Sequence, residues 1–144
     1  MDMGVDLWKD KSKKLIDPEL FSAKAEALAK EIYKEQQESR GKENKPTQIR
    51  KFYDEIIRFD TMVKTNDKAF ENILPYLKML NAKAAYAMGR ELVSKGFKDF
   101  ISYSLGQIHT KEDFEVFADL FEAFMGYYKF YDKKGESMAP GGRR

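Results

Sequence analysis

The side chains that usually carry acid–base, nucleophilic or metal chemistry are scarce in this sequence. It has no cysteine and one histidine, His109, so thiolate catalysis, disulfides and cysteine metal ligands are excluded. His109 stands between two helical patterns and is better interpreted as a surface turn residue than as a general base. No phosphate-binding glycine loop, HExxH or GxSxG motif is present. The sequence therefore predicts a protein with no catalytic residues, no metal and no cofactor.

Four carboxylates recur along one stripe of a predicted helix, at Glu112, Glu115, Asp119 and Glu122. Spacings of three and four residues bring them to one side of the helix, where oxygen ligands could bind a divalent cation. A carboxylate metal site in a helix bundle also needs histidine ligands and a second acidic helix, which this sequence lacks. We therefore interpret the stripe as a solvated or partner-facing surface, and a metal-dependent hydrolase is the least favoured function.

A basic face is predicted on the helix that follows Pro75. At 100° per residue, Met79, Lys83, Tyr86 and Arg90 lie together, roughly 120° or more from the apolar stripe. Cations at this spacing can follow successive phosphates, and a tyrosine between them can bind a phosphate or a sugar hydroxyl. The alternative is a solvated helix face whose tyrosine packs on a neighbouring element.

A second basic group, Gln48, Arg50 and Lys51, lies at the start of another predicted helix. Free backbone amides and positive charge at a helix N-terminus can bind an anion, although basic helix starts are common. The chain carries 26 basic and 24 acidic side chains, a net charge of +2. Any affinity for nucleic acid must therefore come from such local patches.

Apolar residues spaced three and four apart run along almost the whole chain, and no segment alternates like a half-buried strand. The pattern predicts an all-α, compact bundle of about five to six helices, ending in a long aromatic-rich helix. A kink or break is expected at Pro75, because proline lacks the amide hydrogen and clashes with the preceding turn. The polar run 39–46 is expected to be a mobile connection.

The domain organisation follows from the same pattern. Residues 1–134 are expected to form a single helical domain, with 1–16 flexible or loosely packed and 135–144 a disordered tail. No apolar run is long enough to span a membrane and no secretory leader pattern is present, so a cytoplasmic location is expected. The last helix is apolar around most of its circumference, which favours a homodimer or helix exchange in isolation.

Three segments, in this order, resemble the small subunit of the type III-A CRISPR–Cas effector complex, the Csm small-subunit family. They are TQIRKFY at 47–53, LNAKAAYAMGR at 80–90 and FADLFEAFMGYYKFY at 117–131. Two departures are notable. The family often has Lys-Pro where this chain has Asn81-Ala82, which removes one cation, and its glycine-rich ending is replaced by residues 132–135. Residues 1–46 carry little resemblance.

The resemblance implies a non-catalytic subunit of an antiviral effector, stacked in several copies beside the other subunits. Such a protein would line the duplex of guide (CRISPR) RNA and target RNA, touching phosphate and ribose while base pairing reads the sequence. Carried over by position, the expected RNA contacts are Gln48, Arg50, Lys51, Lys83 and Arg90. Tyr86 joins them from its place on the basic face. The alternative is a purely structural helical adaptor that dimerises without direct RNA contact.

Overall fold

The computed structural model describes residues 3–138, and no β-strand forms within them. A π-helical turn, Leu20–Lys24, leads directly into the first α-helix. The six α-helices are α1 (Ala25–Glu38), α2 (Pro46–Thr65), α3 (Ala69–Lys78), α4 (Leu80–Gly89), α5 (Lys95–Gly106) and α6 (Lys111–Met138). The expected all-α bundle is confirmed. No helix among the described residues is long and apolar enough to cross a membrane.

The long C-terminal helix, α6, provides the centre of the core. Both α1 and α2 pack on it, and five of its aromatic side chains are fully buried, at 0% exposure. These side chains are Phe114, Phe117, Phe121, Phe124 and Tyr128. Two aromatic rings of α5 meet them, since Phe97 and Phe100 lie 6.3 Å and 5.8 Å, respectively, from the ring centroid of Phe121. Aromatic pairs at such distances add about 0.5–1.5 kcal/mol of stability each beyond the contribution of their burial. The aromatic side chains of α6 therefore stabilise the packing of the bundle.

The interruption expected at Pro75 is present, but it falls four residues later, at Met79. Pro75 itself lies inside α3. The Met79 amide is shared between the carbonyls of Pro75 at 3.1 Å and Tyr76 at 3.2 Å. Proline lacks the amide hydrogen for the helical bond to residue 71, and one turn after it these α-type and 3₁₀-type bonds overlap at Met79. The result separates α3 from α4.

The segment before the first helix packs against the end of α5 and the start of α6. Leu7 is fully buried, and its amide donates to the Gln107 side chain at 2.8 Å. The Trp8 indole donates to the carboxylate of Asp113 at 2.8 Å. The expectation that residues 1–16 are flexible or loosely packed does not hold at Met3 and Leu7, which are buried. Its apolar residues are too few to form a helical pattern, yet they fill core positions.

The last helix also runs further than expected. It continues to Met138, so 135–138 are helical rather than part of a disordered tail, and 139–144 lie outside the described residues. Each added helical residue gains one hydrogen bond without a new nucleation step. A helix can therefore extend beyond the apolar pattern from which it is predicted.

Asp113 is expected to make the stability depend on pH. Burial raises the pKa of a carboxyl group, but hydrogen bonds from the His109 amide, Trp8 and the Thr110 amide outweigh it and hold the pKa of Asp113 below its ordinary 3.8. The stabilisation is complete at pH values above the pKa of Asp113 in the unfolded chain. It is lost as the pH falls through the lower pKa of Asp113 in the folded protein. Asp113→Asn should lower the free energy of unfolding near neutral pH, with a deficit that shrinks below about pH 4. Urea unfolding at several pH values tests this, and a pH-independent deficit would contradict it.

Candidate nucleic-acid interface

Two helices that are distant in sequence form one groove, here called the α2–α4 groove, with a volume of about 290 Å³. Its floor is apolar and buried, with Phe52, Leu80 and Ala87 at 7% exposure or less. Its rims are polar and come from both helices. The rim side chains are Gln48, Lys51 and Glu55 of α2, and Lys83 and Tyr86 of α4. Polar groups around an apolar floor make a surface that can bind an amphipathic chain such as nucleic acid.

The spacing of the rim residues along each helix brings them to one face of that helix. Gln48, Lys51 and Glu55 stand at i, i+3 and i+7 on α2, while Lys83 and Tyr86 are three residues apart on α4, so each set shares one face. The two faces meet because α2 starts close to the turn that follows α4. That approach depends on a residue in the connection before α2.

The residue is Asn44, which is fully buried in the polar run expected to be mobile. Its amide donates to the Leu92 carbonyl at 2.9 Å, which joins the start of α2 to the α4–α5 turn. Its side-chain amide donates to the Ile32 carbonyl at 3.2 Å, and its side-chain oxygen accepts from the Ser94 amide at 2.8 Å. The expected mobility is therefore wrong at Asn44, because its side chain bonds both α1, at Ile32, and Ser94, the residue before α5.

The groove carries an internal ion pair. Lys83 Nζ lies 3.1 Å from Glu55 Oε1, and Arg58 binds the other carboxylate oxygen at 3.2 Å. Burial raises the pKa of Glu55, but the hydrogen bonds from Lys83 and Arg58 outweigh it and lower the pKa below its ordinary value. Glu55 is thus a carboxylate that holds Lys83 across the groove. Lys51 forms no ion pair among the described side chains.

The outer edge of the groove is formed by Tyr86 and Arg90. Tyr86 is 64% exposed, and Arg90 Nη1 donates to its hydroxyl at 3.0 Å. The Arg90 guanidinium also lies 5.7 Å from the Tyr86 ring centroid, a cation–π distance. The predicted exposure of the Lys83, Tyr86 and Arg90 face is confirmed, and the tyrosine does not pack into the fold.

The family model described as Csm2 Type III-A matches residues 16–134, which include all three segments that carry the resemblance. The chain belongs to the Csm2 type III-A family. It is therefore a small subunit of a type III-A CRISPR effector, and its family assembles with the other Csm subunits. No curated protein and no solved structure matches the chain significantly.

The structure separates one predicted contact of this Csm2-family chain from the others. Arg50 stands two residues from Gln48, roughly 200° around the helix, and does not line the groove. It pairs with Asp54 at 3.8 Å, and both side chains are more than half exposed. The groove and its edge therefore bring together Gln48, Lys51, Lys83, Tyr86 and Arg90. Arg50 belongs to a neighbouring surface.

The sequence pattern did not reveal two members of the groove's charge network, Glu55 and Arg58. Glu55 falls four residues after Lys51, a spacing that marks the same helix face. Arg58 follows Glu55 by three residues, so the pair could have been found on α2 alone. The partner of Glu55 on α4 could not, because Lys83 is 28 residues away.

The other chemistry-bearing residues do not form a site. His109 is exposed, and its backbone amide donates to Asp113 at 2.9 Å. On the acidic stripe, Glu112, Asp119 and Glu122 all face solvent, although partial desolvation raises the pKa of Asp119. Within the part of the chain that the structure describes, no group of histidine or acidic side chains is arranged to hold a metal ion.

Proposed function

We propose that this Csm2-family chain contacts RNA through the α2–α4 groove as a non-catalytic small subunit of its effector, in the cytoplasm. The observation that carries the proposal is the convergence of Gln48, Lys51, Lys83 and Tyr86 on one groove from separate parts of the sequence. The ligand would be the phosphate–ribose backbone of the guide RNA and target RNA. Sequence would then be read by base pairing, because phosphate contacts carry no sequence information.

Each rim residue has a role suited to a backbone ligand. Lys51 supplies a cation that is not neutralised by an ion pair, and the amide of Gln48 and the hydroxyl of Tyr86 can hydrogen-bond a ribose hydroxyl or phosphate oxygen. Arg90 already donates to that hydroxyl, so it orients Tyr86 and adds charge at the edge. Together these groups fit sugar and phosphate better than a base edge.

Glu55 sets the electrostatic balance of the groove. A phosphate entering near Lys83 would replace Glu55 as its partner, while Glu55 keeps Arg58 at 3.2 Å. Because this exchange replaces one anion with another at the same cation, the gain in binding free energy is small and sensitive to salt. Affinity would therefore come from several such grooves in the assembled complex rather than from one tight site.

The direct test reverses the charge of Lys83 and Arg90 together, Lys83→Glu with Arg90→Glu. Retention of target RNA by the assembled effector should fall. The slope of log affinity against log salt should decrease in magnitude by about 0.7–0.9 for each phosphate that is no longer neutralised. RNA retention and its salt dependence, with thermal unfolding as a check on folding, measure both effects.

Arg50→Glu is the control for a single reversal, because it lies near the start of α2 but outside the groove. Lys68→Glu repeats the reversal at an exposed site before α3. Both should leave retention close to wild type. Unchanged retention in the double variant, or an equal loss with Arg50→Glu, would show that the groove is not the RNA site.

A structural adaptor is the second candidate, and one surface favours it. Phe21 and Phe130 are 37% and 54% exposed beside Ala123 and Gly126, between the first turn and α6. An exposed apolar surface of this kind suits a protein partner. The adaptor predicts no RNA crosslinks to this chain in the assembled effector, and light scattering of the isolated protein would reveal self-association.

A further inference from the structure

A second groove, here called the Tyr76 groove, continues the α2–α4 groove on the other side of the Lys83–Glu55 ion pair. It has a volume of about 380 Å³ and lies between α2 and the α3–α4 segment. Three large apolar side chains line it while remaining open to solvent: Met62 at 39%, Tyr76 at 61% and Met79 at 49% exposure. Glu55 and Lys83 line both grooves, so one ligand can pass from one to the other.

The groove spans the interruption after Pro75. Asn72, Tyr76 and Met79 stand at i, i+4 and i+7 and so share one stripe, although Met79 lies at the break between α3 and α4. Phe59 and Ile73 form a floor that is almost fully buried. A rigid floor and an exposed aromatic ring give a flat, preformed surface rather than a flexible apolar patch.

Charged groups surround this surface. The Arg58 guanidinium lies 4.6 Å from the Phe59 ring centroid and binds Glu55, which also binds Lys83. The set carries two cations and one anion beside an exposed tyrosine. A nucleotide combines the two complementary parts, a flat base that stacks on an aromatic ring and a phosphate that pairs with a cation.

A protein helix fits this groove less well. It would cover the linked Arg58, Glu55 and Lys83 side chains, and burying such charges costs several kcal/mol unless every hydrogen bond is replaced. The groove volume also lies near the lower end of the range typical of small-ligand sites, about 300–1,000 Å³. A phosphate, in contrast, offers the cations a new partner while the base covers the apolar side chains.

We propose that the Tyr76 groove receives one unpaired nucleotide of the RNA, with its base stacked on Tyr76 beside Met62 and Met79. This inference rests on the proposed function, because the backbone in the α2–α4 groove would lead the nucleotide to it. RNA-binding proteins commonly stack unpaired bases on aromatic side chains. The subunit would then hold RNA by a contact that depends on the base being unpaired.

The test replaces Tyr76 in the assembled effector and measures target-RNA affinity at several salt concentrations. Tyr76→Ala should weaken binding by about tenfold, as loss of one stacked base does, with an unchanged salt slope because every phosphate keeps its cation. Tyr76→Phe keeps the ring and should stay close to wild type. Tyr103→Ala is the control, since Tyr103 is another exposed tyrosine, at 46%.

The outcomes separate this inference from the function on which it rests. No loss with Tyr76→Ala, while the Lys83 and Arg90 variant lowers retention, overturns the nucleotide site and leaves the α2–α4 groove standing. Equal losses with Tyr76→Ala and Tyr103→Ala, or a loss of the subunit from the complex at unchanged RNA affinity, also overturn it. The latter result would assign the groove to a protein partner. No effect of the Lys83 and Arg90 variant would reject the proposed function itself.

Ultraviolet crosslinking of the same complexes gives a second readout that does not depend on affinity. A crosslink between target RNA and the peptide that contains Tyr76 is expected in wild type and should disappear in Tyr76→Ala. Crosslinks confined to the peptides of the α2–α4 groove would place the RNA there alone and would overturn the nucleotide site.

Discussion

Asn44→Ala is expected to lower the free energy of unfolding by about 3 kcal/mol and to weaken RNA retention at the same time. The side chain of Asn44 is fully buried and exchanges hydrogen bonds with the Ile32 carbonyl and with Ser94. Leaving such buried groups unpaired costs about 1–3 kcal/mol. The backbone of Asn44 has φ +63°, where alanine costs roughly 1–2 kcal/mol more than a residue suited to that region.

The loss should reach the RNA groove because Asn44 connects several elements. Its amide donates to Leu92, at the edge of the groove. Its carbonyl accepts hydrogen bonds from the Tyr128 hydroxyl and from the Gln36 side chain. The start of α2, with Gln48 and Lys51, is therefore held against α1, α6 and the α4–α5 turn by one residue. Alanine keeps these backbone bonds, so the two rims are expected to loosen through the loss of the side-chain bonds to Ile32 and Ser94.

Urea unfolding and RNA retention of the assembled effector measure the two effects, and Asn44→Gly separates their causes. Glycine adopts the left-handed backbone without strain but lacks the side-chain bonds, so it should recover only about 1 kcal/mol relative to alanine. Equal losses of unfolding free energy in the two variants would show that the left-handed backbone of residue 44 does not contribute to the effect. A stability close to wild type in both would contradict the role of the network.

Asn44 also marks the limit of prediction from the sequence. A polar run with glycine and proline predicts a connection, and the connection is there, between α1 and α2. A buried asparagine in such a run leaves no periodic signal, because its partners lie 12 and 50 residues away. The helices, in contrast, follow from spacings of three and four residues, which depend only on neighbours along the chain.

The same reasoning explains the candidate site. The exposure of Lys83, Tyr86 and Arg90 was predictable because their angle from the apolar stripe is fixed by the helix itself. Which element faces them was not, since it depends on how α2 and α4 pack. Arg50 and Lys51 are adjacent in sequence, yet only Lys51 lines the groove. The family resemblance assigns both residues to the RNA contact. The rotation of about 100° per residue along the helix, however, directs their side chains to different faces.

Phe121→Ala is expected to cost about 3–5 kcal/mol of unfolding free energy, the usual range for a buried phenylalanine. The ring is fully buried and lies within 6.3 Å, centroid to centroid, of five other aromatic rings. These rings belong to Tyr53, Phe97, Phe100, Phe117 and Phe124. Since they come from α2, α5 and α6, the cavity would open where three helices meet, and little of it could close by local relaxation.

Phe130→Ala is the matched control on the same helix, because Phe130 is 54% exposed and its truncation should change stability by no more than about 1 kcal/mol. Phe121→Leu tests the cavity itself, since leucine refills much of the volume and should recover a large part of the loss. Thermal and urea unfolding measure all three variants. A small effect of Phe121→Ala would mean that the aromatic cluster is not the main source of core stability.

Because Tyr53 of α2 stacks on Phe121 at 6.2 Å, a large effect of Phe121→Ala on stability should be accompanied by weaker RNA retention, since α2 carries one rim of the groove.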